Sequence, residues 1–247
     1  MQGILDVVDD IAIAPTTASG RDPRLLEGLL SNLPLFHRVS RPQVSTVASY
    51  SRVRHLRRGA VLCHQGERLS GVIALGYGIM KLALRRIDGD EKVIRFLSAN
   101  ETFGICVMLL DRPCPVTIVL LEDSMFVEIP AAPLHRLIEL DPRFAANVVR
   151  TMAENFLGLV AELESSVQQS ALQRLAAYLG SLTVPNGTPD SWVARLPASK
   201  TAVAARLGIT KETMSRSLRE LADRGLIAVA QRDIEVRDRQ ALAQVAR

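Results

Sequence analysis

The apolar positions of the chain change their spacing along its length, and each spacing predicts a different kind of structure. Between residues 52 and 130, short apolar runs such as Gly71–Leu75 and Lys92–Phe96 alternate with glycines. Short apolar runs bounded by glycine are typical of strands joined by tight turns, so this region predicts an all-β sandwich or barrel. The pair Asp88-Gly89 predicts a hairpin turn, because Asp-Gly readily adopts the positive φ angles of primed turns.

Residues 142–170 carry a narrow apolar stripe instead, with a period close to 3.5. The members of the stripe are three or four residues apart and are flanked by polar side chains: Val148, Met152, Phe156, Leu159, Leu163 and Val167. A stripe of this width predicts a long helix that packs against another helix. We expect the stripe to join two copies of the chain. Packing on the chain's own β domain would produce the same pattern and remains the alternative.

Residues 197–236 have the order of a DNA-binding module. A first helix is followed by Gly208, which allows a sharp turn, and by Thr210, which is a suitable N-cap for a second helix. Two short apolar runs then flank a basic turn at Arg232. This order predicts a helix-turn-helix followed by a two-stranded wing.

The second of these helices has two distinct faces. Its apolar face, spaced i, i+4, i+7, consists of Met214, Leu218 and Leu221. Its polar face consists of side chains that can contact DNA: Glu212, Ser215, Arg216 and Arg219. Arginine can donate two hydrogen bonds to guanine, glutamate can accept one from the cytosine amino group, and serine can contact thymine or adenine. We expect phosphate contacts from Arg219 and from residues near the helix starts, namely Lys200, Thr201, Thr210 and Lys211.

The composition narrows the class of protein. A length of 247 residues predicts two domains, and a net charge of +4 with a pI near 9.2 permits a polyanionic partner such as double-stranded DNA. Three irregularly spaced cysteines predict a reducing compartment. We find no apolar run of membrane-spanning length and no signal peptide, so we expect a cytoplasmic protein without membrane contact. We do not expect an enzyme, because no paired carboxylates, nucleophile–base pair or phosphate loop stands out.

Over residues 30–240 the chain resembles the CRP/FNR superfamily of bacterial transcription regulators. Glu212, Ser215 and Arg216 have the E-x-x-S-R spacing of the FNR branch, and residues 78–81 and 88–92 are similar to the β-roll of the same superfamily. Residues 102–113 are similar to the nitric-oxide-responsive denitrification regulators of the DNR and NnrR type. The resemblance implies an α+β fold with a cyclic-nucleotide-binding-like β-roll (jelly roll), a long dimerisation helix and a C-terminal winged helix-turn-helix.

The resemblance also implies domain boundaries and partners. We expect a flexible extension at 1–22, a sensor domain with flanking helices at 23–141, a dimerisation helix at 142–170 and a DNA-binding domain at 171–247. A homodimer would activate transcription from a TTGAT-N4-ATCAA-like palindrome, with Glu212 and Arg216 on the G·C pair and Ser215 on a neighbouring thymine. The implied contact with RNA polymerase is the loop formed by Asp88, Gly89, Asp90 and Glu91.

The implied target genes serve anaerobic or nitrogen-oxide respiration, under the control of nitric oxide or redox state. Two other functions remain open. One is a regulator of the FixK type that needs no ligand, and the other is a small-molecule-binding module whose DNA-binding domain is vestigial.

The sensor domain lacks the residues of a cyclic-nucleotide site. Cyclic-nucleotide receptors carry F-G-E and, about ten residues later, R-S. Here Phe103-Gly104 is followed by Ile105, and the later position reads Pro115-Val116. The cyclic phosphate would lose its arginine and the ribose its carboxylate, so we do not expect cyclic AMP to bind.

The cysteines bear on the remaining cofactors. The chain has no cysteine before Cys63, so a four-cysteine iron–sulfur cluster of the FNR type is not expected. Haem is one candidate cofactor, with Cys63, His64 and Cys106 as candidate ligands, and no other metal site is predicted. The second candidate is thiol chemistry at Cys63, Cys106 or Cys114. Cys114 lies between two prolines, so we expect it on an exposed loop.

Overall fold

The computed structural model describes residues 17–20, 22–85 and 91–246. The chain begins with strand β1 (Thr17–Gly20), which pairs antiparallel with strand β2 (Arg52–Leu56). Between them lie helix α1 (Pro23–Ser31), a short 3-10 helix (Pro34–Phe36) and helix α2 (Arg41–Tyr50). The prediction of a flexible extension at 1–22 is therefore wrong for residues 17–20, because their backbone extends a sheet. Residues 1–16 and 21 lie outside the described residues.

The predicted β region forms two sheets. The further elements are β3 (Val61–Cys63), β4 (Gly71–Tyr77), β5 (Met80–Arg85), β6 (Glu91–Leu97), β7 (Thr102–Phe103), helix α3 (Ile105–Leu109), β8 (Thr117–Leu120) and β9 (Ser124–Pro130). The strand orders are β1-β2-β9-β4-β7 and β3-β8-β5-β6. Apolar side chains of both sheets meet in one core, with Leu75 and Phe126 from the first sheet and Leu82 and Leu120 from the second. The predicted β-sandwich is confirmed.

Helices cover the other face of the first sheet. Helix α4 (Ala131–Leu140) and helix α5 (Pro142–Gln168) follow β9, and α5 is 27 residues long. Asp141 caps α5, since its carboxylate accepts a hydrogen bond from the backbone N–H of Arg143 at 2.8 Å. Val53 and Val127 of the sheet share a core with α1, α2, α4 and the first turns of α5. The long predicted helix is present and ends two residues before the expected position.

The C-terminal part has its own core. Its elements are α6 (Ala171–Leu182), β10 (Thr183–Asn186), β11 (Thr188–Arg195), α7 (Lys200–Leu207), α8 (Lys211–Asp223), β12 (Ile227–Ala230), β13 (Asp233–Val236) and α9 (Arg239–Val245). The strand order is β10-β11-β13-β12, so the predicted two-stranded wing is half of a four-stranded sheet. The sequence pattern missed β10 and β11 because prolines and Gly187, whose φ is +75°, dominate the tip of their hairpin.

Candidate DNA-binding surface, helix α5 and interdomain cavity

The turn between α7 and α8 has the predicted geometry. Gly208 ends α7 with a φ of +66°, a left-handed conformation that favours glycine. The hydroxyl of Thr210 accepts a hydrogen bond from the backbone N–H of Thr213 at 3.1 Å and so caps α8. The cap satisfies one of the free N–H groups at the start of α8. It fixes the point at which the polar face of this helix begins.

Helix α8 is anchored by its apolar face. Met214, Leu218 and Leu221 are buried in the core of the C-terminal domain, as the spacing predicted, together with Ser217. The opposite face is exposed and carries the predicted base-reading set: Glu212, Ser215, Arg216 and Arg219. The fold therefore holds these four polar side chains on one exposed surface of a fixed helix.

Hydrogen bonds at the start of α8 orient two of the four side chains. The hydroxyl of Thr213 accepts a hydrogen bond from a guanidinium N–H of Arg216 at 3.5 Å. The pKa of Glu212 is lowered by hydrogen bonds from its own backbone N–H and from the hydroxyl of Thr210. Glu212 is therefore ionised at neutral pH and can only accept hydrogen bonds, as contact with a cytosine amino group requires.

The predicted phosphate-binding residues lie around the same turn. Thr201, Thr210 and Lys211 are exposed, and Lys200 is half-buried. Arg232, the basic residue of the wing turn, contacts the protein itself. Its guanidinium donates to the carbonyl of Pro197 at 2.6 Å and to the carboxylate of Glu122, in the first domain, at 3.1 Å. Sequence spacing gives no signal for this contact, which spans 110 residues.

Helix α5 divides the predicted apolar stripe between two surfaces. Val148 is only 5% exposed and packs in the same core as Phe144, while Met152 is half-buried against that core. Assigning Val148 to a dimer interface was therefore wrong, because it is covered by its own chain. For Val148 and Met152 the alternative interpretation, packing on the chain's own β domain, is the one that holds.

An exposed apolar stripe runs along the other side of α5. Its members follow 4-3-4-3-4 spacing: Val149, Ala153, Phe156, Val160, Leu163 and Val167. We call these six residues the outer seam. Three of the predicted interface residues, Phe156, Leu163 and Val167, belong to it and are 64%, 67% and 83% exposed. Spacing of this kind is the pattern of a helix pair in a left-handed coiled coil.

A cavity of about 620 Å³ lies between β6, α5 and the C-terminal domain. Most of its wall is apolar and includes Phe96, Val116, Met152 and Leu159. The C-terminal domain contributes Tyr178, and burial raises the pKa of this phenol to about 12. A volume of this size suits a small organic molecule.

One polar side chain in the cavity wall is already paired on two sides. Arg95 donates to the side-chain carbonyl of Asn155 at 2.6 Å and also bonds the carboxylate of Glu101. These contacts join β6 to α5 beside the cavity.

The candidate cofactor ligands do not come together. Cys106 is exposed and lines the cavity, whereas Cys63 is buried in the sandwich core and His64 is exposed outside the cavity wall. Burial, followed by the neighbouring Cys114, raises the pKa of Cys63 to about 12, so Cys63 stays a neutral thiol. No histidine of the described residues lines the cavity. The residues therefore do not fit a haem held by two of the predicted ligands.

The expectation that Cys114 lies on an exposed loop was wrong. Its side chain is 1% exposed, and its thiol donates to the carbonyl of Val116 at 3.1 Å. The two flanking prolines exclude regular secondary structure but do not prevent burial. In the predicted polymerase loop, Asp88, Gly89 and Asp90 lie outside the described residues, and Glu91 opens β6 in an ion pair with Lys81 at 2.5 Å.

The part of the chain that the structure describes offers neither a cluster of metal ligands nor a membrane-spanning helix. It contains no group of three or more histidine, cysteine or acidic side chains that could hold a metal ion. None of its helices combines the length and apolarity needed to cross a bilayer.

Each of the two domains matches the model of a known protein family. Residues 53–141 match the model of the cyclic nucleotide-binding domain, and residues 173–245 match that of the Crp-like helix-turn-helix domain. The cyclic AMP receptor protein of Thermus thermophilus is 25% identical, over 86% of this chain and 96% of that protein. The fumarate and nitrate reduction regulatory protein of Escherichia coli K12 is 28% identical, over 79% of this chain and 78% of that protein.

A solved structure has the same fold. FixK2 of Bradyrhizobium japonicum superposes with a TM-score of 0.71, over 80% of this chain and 98% of that chain, at 20% identity.

Proposed function

The chain belongs to the CRP/FNR family of DNA-binding transcription regulators, and we propose that it binds, as a two-fold dimer, a palindrome of the TTGAT-N4-ATCAA kind. The observation that carries this proposal is the exposed face of α8. Glu212 and Arg216 lie one helical turn apart on that face, and Ser215 lies beside Arg216. The face is presented by a helix whose other side is buried.

The chemistry of the three side chains matches one base pair and its neighbour. Arg216 would donate two hydrogen bonds to guanine, and Glu212 would accept one from the paired cytosine. Ser215 would contact the adjacent thymine. Arg219, Thr201 and Lys211 would hold the phosphates on either side and fix the register of the helix in the major groove.

The outer seam of α5 supports the dimer. A two-fold axis along this helix would bring Phe156 and Val160 of one copy against the same residues of the other. The two α8 helices would then meet half-sites about one turn of DNA, roughly 34 Å, apart. Val148 and Met152 take no part in this interface, because they pack on the sensor domain.

The targets that we propose are genes of anaerobic or nitrogen-oxide respiration, with transcription activated through a contact with RNA polymerase at residues 88–91. Support comes from the E-x-x-S-R face of α8 and from the similarity to a fumarate and nitrate reduction regulator. A redox signal has an exposed thiol, Cys106, in its favour. A nitric-oxide signal carried by haem has no converging pair of the candidate ligands among the described residues.

Small-molecule control is a second candidate function, favoured by the cavity between the domains. A ligand there would touch Leu159 on α5 and Tyr178 on α6 at once. It would therefore favour one arrangement of the two domains over another and change the affinity for DNA. Regulation without a ligand, as in the FixK type, predicts no such change.

The test of sequence-specific binding is fluorescence anisotropy with a labelled TTGAT-N4-ATCAA duplex at moderate salt. The comparison duplex has the G·C pair of each half-site replaced by A·T. We expect the replacement to weaken binding, since a mismatched base pair costs about 1–3 kcal/mol. Equal affinity for the two duplexes across a salt titration would contradict the proposal and leave only non-specific phosphate binding.

A further inference from the structure

The turn of the wing is joined to the segment before α7 by both its backbone and its side chain. The backbone carbonyl of Arg232 accepts a hydrogen bond from the N–H of Leu196 at 2.8 Å. The guanidinium of Arg232 donates to the carbonyl of Leu196 at 3.3 Å and to that of Pro197 at 2.6 Å. Because α7 begins at Lys200, this guanidinium lies close to the start of α7.

The start of α7 is a place that attracts phosphate. The first turn of a helix has unpaired N–H groups and the positive end of the helix dipole. Thr201 lies in this turn, is exposed, and is one of the phosphate contacts that we propose. The guanidinium of Arg232 adds a full positive charge and hydrogen-bond donors whose geometry suits a phosphate. A DNA phosphate that approached Thr201 would therefore come close to Arg232.

A carboxylate of the sensor domain is bound to this guanidinium. The Oε1 atom of Glu122 accepts a hydrogen bond from the Nη2 atom of Arg232 at 3.1 Å. Asp233, the neighbour of Arg232 in the chain, is bound elsewhere, because Arg195 donates to both of its carboxylate oxygens, at 2.6 and 2.9 Å. The carboxylate that pairs with Arg232 therefore comes from the other domain, and it places a negative charge close to the start of α7.

The sensor domain holds Glu122 in this position. Glu122 lies in the turn between β8 and β9, where the N–H of Leu121 donates to the carbonyl of Ile79 at 2.8 Å. In the same turn, the carboxylate of Asp123 accepts a hydrogen bond from the N–H of Arg58 at 2.8 Å. The side chain of Leu121 packs against the hydrophobic core of the C-terminal domain. The ion pair between Glu122 and the wing is thus part of a packed interface between the two domains.

We propose that Arg232 is a further phosphate-binding residue and that Glu122 of the sensor domain competes with DNA for it. While the domains are packed in this way, the carboxylate neutralises Arg232 and repels a phosphate at the start of α7. When DNA binds, a phosphate replaces the carboxylate, and the carbonyls of Leu196 and Pro197 keep the guanidinium in place.

The competition rests on the proposed DNA-binding function but concerns a different property of it. Phosphate contacts carry no sequence information, so Glu122 should lower the affinity for every duplex without changing the preference for the palindrome. The ion pair is partly open to solvent, since the side chains of Arg232 and Glu122 are 47% and 42% exposed. An exposed ion pair is weak and is screened by salt, so the competition should be modest and depend on salt.

The first test measures the DNA affinity of Glu122→Gln by fluorescence anisotropy with the palindrome and the comparison duplex. Glutamine keeps the shape of the side chain and removes its charge. We expect the affinity for both duplexes to rise about two- to fivefold, the effect of one exposed ion pair on an equilibrium, and the gain to shrink as sodium chloride is added. Asp123→Asn is the matched control, since it removes a charge from the same turn and asparagine can still accept from the N–H of Arg58. It should produce a smaller gain, and no gain for Glu122→Gln would overturn the proposal.

The second test is a double-mutant cycle with Arg232→Gln, with Tm measured for each variant. Arg232→Gln should weaken binding to both duplexes and lower the slope of log affinity against log salt concentration by about one, as the loss of one phosphate contact does. Arg232→Lys keeps the charge and should retain most of that slope. In the Arg232→Gln background, Glu122→Gln should have little effect, because no arginine remains to be released.

The outcomes of the cycle separate this proposal from that of the palindrome. An equal gain from Glu122→Gln in both backgrounds would overturn the competition, because Glu122 would then act only through long-range repulsion. An unchanged salt slope for Arg232→Gln would overturn the phosphate contact. If the wild type binds both duplexes equally and the cycle still shows coupling, the competition stands and the palindrome is wrong. If the palindrome is preferred and the cycle shows no coupling, the competition alone is wrong.

Discussion

Replacing Phe156 with alanine should weaken dimerisation strongly while leaving the fold of the single chain nearly unchanged. Phe156 stands in the middle of the outer seam and is 64% exposed within its own chain. Among the described residues, Phe156 belongs to none of the buried hydrophobic cores. Substituting Phe156 should therefore change the free energy of dimerisation without changing the free energy of unfolding of the single chain.

The size of the effect follows from this exposure. A phenylalanine buries about 150–250 Å² when it is fully covered, so about 130 Å² of Phe156 remain to be covered by a partner. At about 25 cal/mol per Å² this area corresponds to roughly 3 kcal/mol for each copy. Two copies meet at a two-fold axis, and truncation to alanine keeps part of the apolar area. We therefore expect a loss of about 3–5 kcal/mol per dimer, or a rise in the dimer Kd by a factor of about a hundred to a few thousand.

The assay is analytical ultracentrifugation over a concentration series, with Tm measured in parallel. Leu140→Ala is the matched control, since Leu140 is also 64% exposed but lies at the end of α4, off the seam. It should leave the dimer Kd unchanged. Val148→Ala should do the reverse of Phe156→Ala and destabilise the fold by roughly 2 kcal/mol, because Val148 is buried. A wild-type Kd for Phe156→Ala would refute the outer seam as the dimer interface.

Three further predictions concern the helix-turn-helix and the cysteines. Arg216→Ala should weaken binding to the palindrome by about 1–3 kcal/mol and reduce the preference for G·C at its position. Arg219→Ala should instead weaken binding to every duplex alike and lower the slope of log affinity against log salt concentration by about one. Fluorescence anisotropy with both duplexes would show whether the two variants differ in this way. Gly208→Ala should lower stability by about 1 kcal/mol or more, because alanine is strained at a φ of +66°; an unchanged midpoint in urea would be inconsistent with this turn. Cys106 should react with iodoacetamide at pH 8 because it is exposed, while Cys63 should not, because burial raises the pKa of its thiol to about 12. Peptide mass mapping measures the labelling of each cysteine, and equal labelling of the two would contradict the prediction.

Local patterns gave the elements that make the DNA-binding surface. The spacing of Met214, Leu218 and Leu221 was enough to place Glu212 and Arg216 on the opposite face, because side chains four apart on a helix share a face whatever surrounds it. Glycine at position 208 and threonine at 210 marked the turn, since each has a backbone preference that acts within a few residues.

The spacing of apolar residues on α5 predicted the helix but not which of its faces is buried. Its period predicted a long helix, and the helix is present. Yet Val148 and Val149 are neighbours in sequence and lie on opposite surfaces, one in the sensor core and one on the outer seam. A period of 3.5 residues does not choose between them, because the choice depends on which side of the helix the β-sandwich covers.

The exposure of Cys114 was also predicted wrongly from local sequence. Two prolines around Cys114 indicated a loop, but burial depends on neighbours that are distant in the chain. Cys114 lies against Cys63, more than fifty residues earlier, within the sandwich core.

The sequence by itself determined the types of the main helices and strands and the polar face of α8, because each of these depends on side chains that are close together in the chain. It also showed directly which cyclic-nucleotide residues are missing, because that depends only on residue identity. Only the tertiary structure decided which half of the α5 stripe remains exposed and which thiol lines the cavity. It also brought Arg232 and Glu122 together, although they lie 110 residues apart. Such contacts arise from packing between distant segments, and no periodicity in the chain encodes them.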